Sequence, residues 1–144
     1  MNQPQQNAST VPLATQATIN VTNLRLRTYI GFNPEERAKK QDVVVNIEIT
    51  YRMQPAVLDD QVQEALNYKS VTKRVIRHVE EGRFLLLEKL VAELLEICSD
   101  YADVTHSRVT VEKPHALRFA DSVSLTLEYR PENRQKLTLM EKAS

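Results

Sequence analysis

The chain has 144 residues, which is the size of one domain with a single core. Its 19 Lys and Arg residues balance its 19 Asp and Glu residues, and the formal net charge of +0 disfavours nonspecific nucleic-acid binding, which depends on neutralising phosphates. The single cysteine excludes an internal disulfide, and no apolar run is long enough for a transmembrane helix.

The two ends of the chain differ in composition from the rest. Residues 1–16 are rich in Gln, Asn, Ser and Thr and lack the basic start and apolar segment of a secretory signal. They predict a disordered tail and a cytoplasmic protein. Residues 131–144 begin with a proline, are again mostly polar, and predict a second tail. We therefore expect one domain over residues 17–130.

Two strands are predicted in the first third of the chain. Apolar residues alternate over residues 19–30, but the phase changes midway, which indicates a bulge near Thr22-Asn23. Gly31 and Asn33-Pro34 then mark a turn. Over residues 43–51 every second residue is apolar and most of those between are polar, which is typical of a half-buried strand.

Two helices are predicted in the middle of the chain. The first covers residues 70–81 and ends at Gly82. The second covers residues 85–101, where a spacing of about 100° per residue collects one apolar stripe. The members of that stripe are Leu87, Leu90, Val91, Leu94, Leu95 and Cys98. The cysteine is therefore expected to be a buried small hydrophobe rather than a reactive thiol.

Two more strands, over residues 105–112 and 122–129, complete a β-β-α-α-β-β order. This order predicts an α+β fold in which two helices cover one face of an antiparallel sheet. The other face of the sheet has no cover from within the chain. Uncovered faces and open strand edges favour self-association, so a homo-oligomer is expected.

The loop between the last two strands concentrates potential cations. Lys113 ends a strand, and Pro114 restricts the direction in which the chain leaves it. His115 and Arg118 follow, which places three potential cations within six positions. This density suits an anionic ligand, although a solvated basic turn would have the same composition.

Several kinds of site are disfavoured by spacing. The three histidines, His78, His106 and His115, are not paired at metal-ligand spacing, so no metal site is expected. Gly31 and Gly82 are the only glycines, which leaves no glycine-rich phosphate loop. The sequence also lacks a GxSxG nucleophile motif.

Three further side chains could carry chemistry. Glu88 lies about 20° beyond Leu95 at the border of the apolar stripe, so its carboxylate is expected to be partly desolvated. Glu36 follows Glu35 in a turn, where acidic residues are usually just solvated. Tyr68 precedes the first helix and is either a packing residue or a proton donor.

Four short motifs stand in order along the predicted domain. They are Gly31-x4-Glu36-x4-Gln41, Leu66-Asn67-Tyr68-x2-Val71, Leu86-Leu87-Glu88-x-Leu90 and Val111-Glu112-Lys113-Pro114. Their order and spacing over residues 17–129 resemble the dihydroneopterin aldolase family. This resemblance implies the tunnelling fold (T-fold), whose subunits assemble side by side into rings. It further implies an octamer of two stacked tetramers with each active site between subunits.

The family contains two related activities, and the sequence resembles one more than the other. The segments 113–124, 23–31 and 84–90 are similar to those of enzymes that epimerise dihydroneopterin triphosphate at C2'. The Tyr-His-Gly common in aldolases is Tyr29-Ile30-Gly31 here. The resemblance therefore implies the epimerase activity, in tetrahydromonapterin synthesis. The alternatives are an aldolase of folate biosynthesis and a non-catalytic ligand-binding oligomer of the same fold.

The resemblance also implies how the substrate, a pterin triphosphate, would be bound. Glu88 would accept two hydrogen bonds from the pterin ring, and backbone groups of Leu87 and Leu66 would complete the anchoring. Local charge, rather than the resemblance, suggests that His115 and Arg118 meet the triphosphate. Further candidates for that role are Arg25, Arg27 and Lys69.

The implied chemistry is a retro-aldol cleavage followed by re-addition. Lys113 would be the base for the C2' hydroxyl, and Glu36 and Gln41 would position that hydroxyl or a water. Tyr68 would shuttle a proton at C1'. No cofactor is implied, because the pterin ring itself takes up the electrons.

Overall fold

The computed structural model describes residues 15–132, so almost all of both predicted tails lies outside the described residues. Two short 3-10 turns, Pro55–Asp59 and Val62–Glu64, follow the second strand. No helix within the described range is long and apolar enough to cross a membrane. The regular elements are β1 (Gln16–Ile30), α1 (Pro34–Ala38), β2 (Gln41–Arg52), α2 (Tyr68–Glu81), β3 (Arg83–Phe84), α3 (Leu87–Cys98), β4 (Val104–Pro114) and β5 (Ser122–Tyr129).

The strands form one sheet in the order β3-β1-β2-β4-β5. The four long strands pair antiparallel, as predicted. The short strand β3 pairs parallel to β1, with Tyr29 opposite Arg83 and Ile30 opposite Phe84. The prediction of a wholly antiparallel sheet is therefore wrong at this edge. A two-residue strand has no periodicity to read, and the helix before it sets its direction.

The predicted bulge in β1 is confirmed. The pairing register with β2 shifts between Val21 and Leu24, and Asn23 there has a φ of 56°. The backbone N–H of Asn23 donates to Oδ1 of Asn46 at 2.9 Å, which gives this inserted residue a partner. The bulge is the reason that the apolar phase changes midway along the strand.

The helices begin at other residues than the periodicity indicates. Helix α2 begins at Tyr68 rather than at residue 70, because the side chain of Asn67 accepts a hydrogen bond from the backbone N–H of Ser70 at 3.0 Å. Helix α3 spans Leu87–Cys98 rather than residues 85–101. The short helix α1 lies in a segment predicted only as a turn, and apolar periodicity cannot reveal a five-residue helix.

The core lies between the sheet and the two long helices, as predicted. Helix α2 packs on β1, and α3 packs on β4 and β5. The residues with a relative exposure of at most 3% include Val43, Val45, Ile47, Ile49, Val71, Val75, Val79, Leu90, Val91, Leu94 and Cys98. They include most of the predicted inward positions of the second strand and four of the six residues predicted for the apolar stripe of the second helix.

One end of the sheet gathers the ends of three elements. Because β1 and β4 both run antiparallel to β2, both strands finish where β2 begins. Gln41 is the first residue of β2 and lies opposite Thr28 of β1. Lys113 is the last residue but one of β4. Helix α1 fills the connection from β1 to β2 at this same end.

Candidate active site

An ion pair between Lys113 and Glu36 lies at this end of the sheet. Nζ of Lys113 is 2.6 Å from Oε2 of Glu36, although the two residues are 77 positions apart in the chain. Their side chains are only 13% and 22% exposed, respectively. The expectation that acids in this turn are simply solvated is therefore wrong for Glu36, whereas Glu35 is indeed exposed.

The position of Glu36 is set by residues just before it in the chain. Asn33 caps helix α1 by accepting a hydrogen bond from the backbone N–H of Glu36 at 2.8 Å, and Pro34 occupies the first turn of the helix. Gly31 has a φ of 127°, and a Cβ at this position would collide with the carboxylate of Glu36. Gly31 is therefore required both for its backbone conformation and for the space that it leaves.

Gln41 completes the cluster. Its Nε2 donates to the backbone carbonyl of Ile30 and lies 3.5 Å from Oε2 of Glu36. The structure thus brings together three of the predicted site residues: Lys113, Glu36 and Gln41. Asn33, which is predicted only to mark a turn, also places this carboxylate; Asn-Pro followed by two acids is a recognisable start of a helix.

The electrostatics of the cluster favour an ionised carboxylate. The hydrogen bond from Lys113 lowers the pKa of Glu36 from its ordinary value, and partial burial opposes this shift without cancelling it. The Glu36 carboxylate is therefore charged at neutral pH. Such a group can hold an ammonium, a substrate hydroxyl or a water in a fixed position.

Leu87 and Glu88 open helix α3 near the same end of the sheet. The preceding strand β3 ends at Phe84, whose carbonyl accepts a hydrogen bond from the N–H of Gly31 at 2.9 Å. The side chain of Glu88 is exposed, so the expected partial desolvation is wrong for the single chain. The helical wheel gives the direction of a side chain but not what covers it, and Leu86 beside it is also 51% exposed.

Tyr68 and Leu66 lie at the opposite end of the fold. The hydroxyl of Thr28 donates to the carbonyl of Val79 at 2.5 Å, which places the last turn of α2 beside the end of β1. Tyr68 is at the other end of this helix, about 16 Å from Val79 along its axis. The tyrosine is 52% exposed. The fold of one chain therefore does not bring Tyr68 next to the ion pair.

The loop after β4 projects His115 and Arg118 into solvent. His115 has a φ of 74° and is exposed. The Arg118 guanidinium lies 5.4 Å from the ring centre of Phe119, which is itself 93% exposed. Of the other candidates for the triphosphate, Arg27 is paired with Asp42 at 2.9 Å, and Arg25 and Lys69 are exposed.

Two other kinds of site receive no support from residues 15–132. In this range no group of three or more His, Cys, Asp or Glu side chains is arranged to hold a metal ion. Cys98 is fully buried, and burial raises the pKa of its thiol to about 12. This confirms the prediction that Cys98 is a buried residue rather than an exposed nucleophile.

Comparison with known proteins gives consistent matches over most of the chain. The family model for dihydroneopterin aldolase matches residues 19–128. The dihydroneopterin triphosphate 2'-epimerase of Pseudomonas aeruginosa is 50% identical over 111 residues, which cover 77% of this chain and 90% of that protein. The epimerase of the same name from Escherichia coli K12 is 47% identical over 114 residues, covering 79% and 95%. The dihydroneopterin aldolase of that bacterium is 29% identical over 108 residues, covering 75% and 88%.

A solved structure matches the fold. The crystal structure of the Escherichia coli dihydroneopterin aldolase in complex with neopterin superimposes with a TM-score of 0.73 and 27% sequence identity. The match covers 78% of this chain and 98% of the crystallised chain. It confirms the predicted α+β fold of the tunnelling type.

Proposed function

We propose that this chain, which belongs to the dihydroneopterin aldolase family, converts 7,8-dihydroneopterin triphosphate to 7,8-dihydromonapterin triphosphate. One observation carries the choice of activity: the chain is 50% and 47% identical to two epimerases but 29% identical to an aldolase. The partly buried pair of Lys113 and Glu36 supplies groups that suit the chemistry.

Epimerisation at C2' requires a bond to be broken, because the hydrogen on that carbon is not acidic. A base removes the proton of the C2' hydroxyl, that oxygen becomes an aldehyde carbonyl, and the C1'–C2' bond breaks. The electron pair of this bond passes through C1' into the pterin, which holds it as an enol-like intermediate. The aldehyde turns over, and attack by C1' on its other face restores the bond with inverted C2'.

Three residues of the cluster suit this reaction. In the proposed step Lys113 reacts as the neutral amine: it takes the hydroxyl proton, directly or through a water, becomes the ammonium that pairs with Glu36, and returns the proton after the bond re-forms. Glu36 keeps a negative charge that orients the amine and the hydroxyl. Nε2 of Gln41 lies 3.5 Å from Oε2 of Glu36, the same oxygen that Lys113 contacts, and helps to hold the carboxylate in place. No cofactor enters, since the pterin is the electron sink.

Binding of the pterin ring is assigned to residues outside this cluster. We expect the exposed carboxylate of Glu88 to accept two hydrogen bonds from the ring, with backbone groups of Leu87 and Leu66 beside it. Tyr68 would lie along the ring and shuttle a proton at C1'. Since Leu66 and Tyr68 lie at the far end of the subunit, the proposal requires a homo-oligomer, octameric by family resemblance, with sites between subunits.

The experiment that tests this proposal is product analysis after incubation with 7,8-dihydroneopterin triphosphate. A monapterin-type triphosphate is the expected product. Release of 6-hydroxymethyl-7,8-dihydropterin as the main product would mean that C1' is protonated and the aldehyde fragment escapes, which assigns the chain to the aldolases. The variant Lys113→Met is the matched control, and it should form neither product at more than about 1% of the wild-type rate.

A further inference from the structure

A small cavity borders the catalytic cluster. It has a volume of about 380 Å³, and Gly31 forms part of its wall. A side chain on Gly31 would also strike the carboxylate of Glu36. The backbone of Gly31 therefore lies between the cavity and the ion pair. The residues that line it are Tyr29, Gly31, Arg37, Arg83, Phe84 and Leu85.

Cationic side chains are held in fixed positions around this cavity. The guanidinium of Arg83 stacks on the ring of Tyr29 at 3.8 Å from its centre, and its Nη1 lies 3.4 Å from the carbonyl of Arg37. The ammonium of Lys40 lies 5.9 Å from the same ring and donates to the carbonyl of Glu80 at 3.4 Å. A stacked arginine is pre-organised, so it loses less freedom on binding a ligand.

In the described part of the chain, no carboxylate is in ion-pair contact with the cations around this cavity. Within residues 15–132, Arg37, Lys40 and Arg83 form no ion pair with Asp or Glu. A larger groove of about 780 Å³ between α2 and α3 is different, although Arg83 also borders it. The basic side chains that the two helices contribute to this groove all contact acids: Arg74 contacts Asp100, Arg77 contacts Glu81, and His78 and Lys89 contact Glu93. Excess positive charge is therefore concentrated at the smaller cavity.

We propose that this cavity binds the triphosphate of the substrate, with Arg37 and Arg83 as its ligands and Lys40 adding positive charge. The inference rests on the proposed function, in which Lys113 acts on the side chain that carries the triphosphate. The triphosphate of the bound substrate would therefore lie close to the ion pair. Arginine offers a planar fork of N–H donors that matches two phosphate oxygens at once. The cavity would then determine specificity for the phosphorylated substrate, while the exposed residues His115 and Arg118 would be secondary.

The test compares KM for dihydroneopterin triphosphate with KM for unphosphorylated dihydroneopterin. The ratio is KM for the triphosphate divided by KM for the unphosphorylated compound. In Arg37→Ala and in Arg83→Ala this ratio should rise at least about tenfold, which is the usual effect of losing a charge-assisted hydrogen bond. The matched control is Arg77→Ala, which removes the same charge from a paired arginine on the larger groove and should leave the ratio unchanged. An unchanged ratio in both cavity variants, or a larger rise in Arg118→Ala, would overturn the proposal.

A second measurement separates this inference from the proposed activity. Inorganic triphosphate should bind the wild-type protein in a calorimetric titration at low salt, and the double variant Arg37→Ala/Arg83→Ala should bind it at least about tenfold more weakly. If the wild type makes no monapterin-type product but this difference in binding persists, only the activity is wrong. If epimerisation occurs but triphosphate binds both proteins equally, the cavity assignment is wrong.

Discussion

Replacing Glu36 with Gln should remove the charge from the ion pair while keeping the size of the side chain. At 2.6 Å the Coulomb attraction to Lys113 is about 6 kcal/mol for an effective dielectric constant of 20, and desolvation of the two groups offsets most of it. Exposed pairs contribute about 0–1 kcal/mol, and removing one partner of a buried pair costs about 3–5 kcal/mol. The side chains of this pair are 13% and 22% exposed, so the pair is intermediate between an exposed and a buried one. We therefore expect Glu36→Gln to lower the free energy of unfolding by about 2 kcal/mol at pH 7.

The cost should depend on pH in a defined direction. The folded-state pKa of Glu36 is lowered, so the stability that its charge contributes is complete above the unfolded-state pKa of about 4.3. This contribution is lost as the pH falls through the folded-state value. The difference in unfolding free energy between wild type and Glu36→Gln should therefore be constant from pH 8 to 6 and shrink below about pH 5.

Urea unfolding measures this difference at one fixed protein concentration, which keeps any mass-action stabilisation by the proposed oligomer comparable between the two proteins. The matched control is Glu35→Gln, which removes the charge of the exposed neighbour and should change stability by less than about 0.5 kcal/mol. If Glu36→Gln costs as much at pH 3.5 as at pH 7, the interaction is not ionic and the reasoning is refuted. An effect equal to that of Glu35→Gln at pH 7 would also refute it.

Two more predictions concern residues near or within the core. Gly31→Ala should lose at least about 2 kcal/mol of stability and most activity, because Ala strains this backbone conformation and pushes the Glu36 carboxylate away; a wild-type melting temperature and rate would contradict this. The thiol of Cys98 should not react with a disulfide reagent at pH 8 in the folded protein but should react fully in guanidinium, since it is 0% exposed and its pKa is about 12; rapid labelling of the folded protein would contradict this.

The parts of this fold that could be predicted are the strands and helices whose apolar residues recur at a regular spacing. Alternation over residues 43–51 identified the inward face of β2, and the apolar stripe of the second helix identified the buried face of α3. The change of phase in β1 revealed a bulge, because one inserted residue moves every later side chain to the other face. The predicted last strand agrees with β5 at both ends.

The parts that could not be predicted depend on contacts between distant segments. No local signal pairs Glu36 with Lys113, 77 positions later, and only the family resemblance grouped them before the structure did. Strand β3 is two residues long, so its parallel pairing follows from the path of the chain after α2. The exposure of Glu88 differs from the prediction because periodicity says nothing about the surroundings of a first helical turn.

The separation of Tyr68 from Lys113 within one chain leads to a decisive test of the assembled site. If both residues act on one substrate, they must come from different subunits, so an oligomer mixed from Tyr68→Phe and Lys113→Met chains should contain some sites with both native residues. Random pairing of equal amounts would give about a quarter of the wild-type number of such sites, and activity should recover to about that level. Differently tagged chains, co-expressed and purified through both tags, provide these mixed oligomers, and each variant alone is the control. If verified mixed oligomers are no more active than the two variants measured separately, the two residues do not act together across a subunit interface.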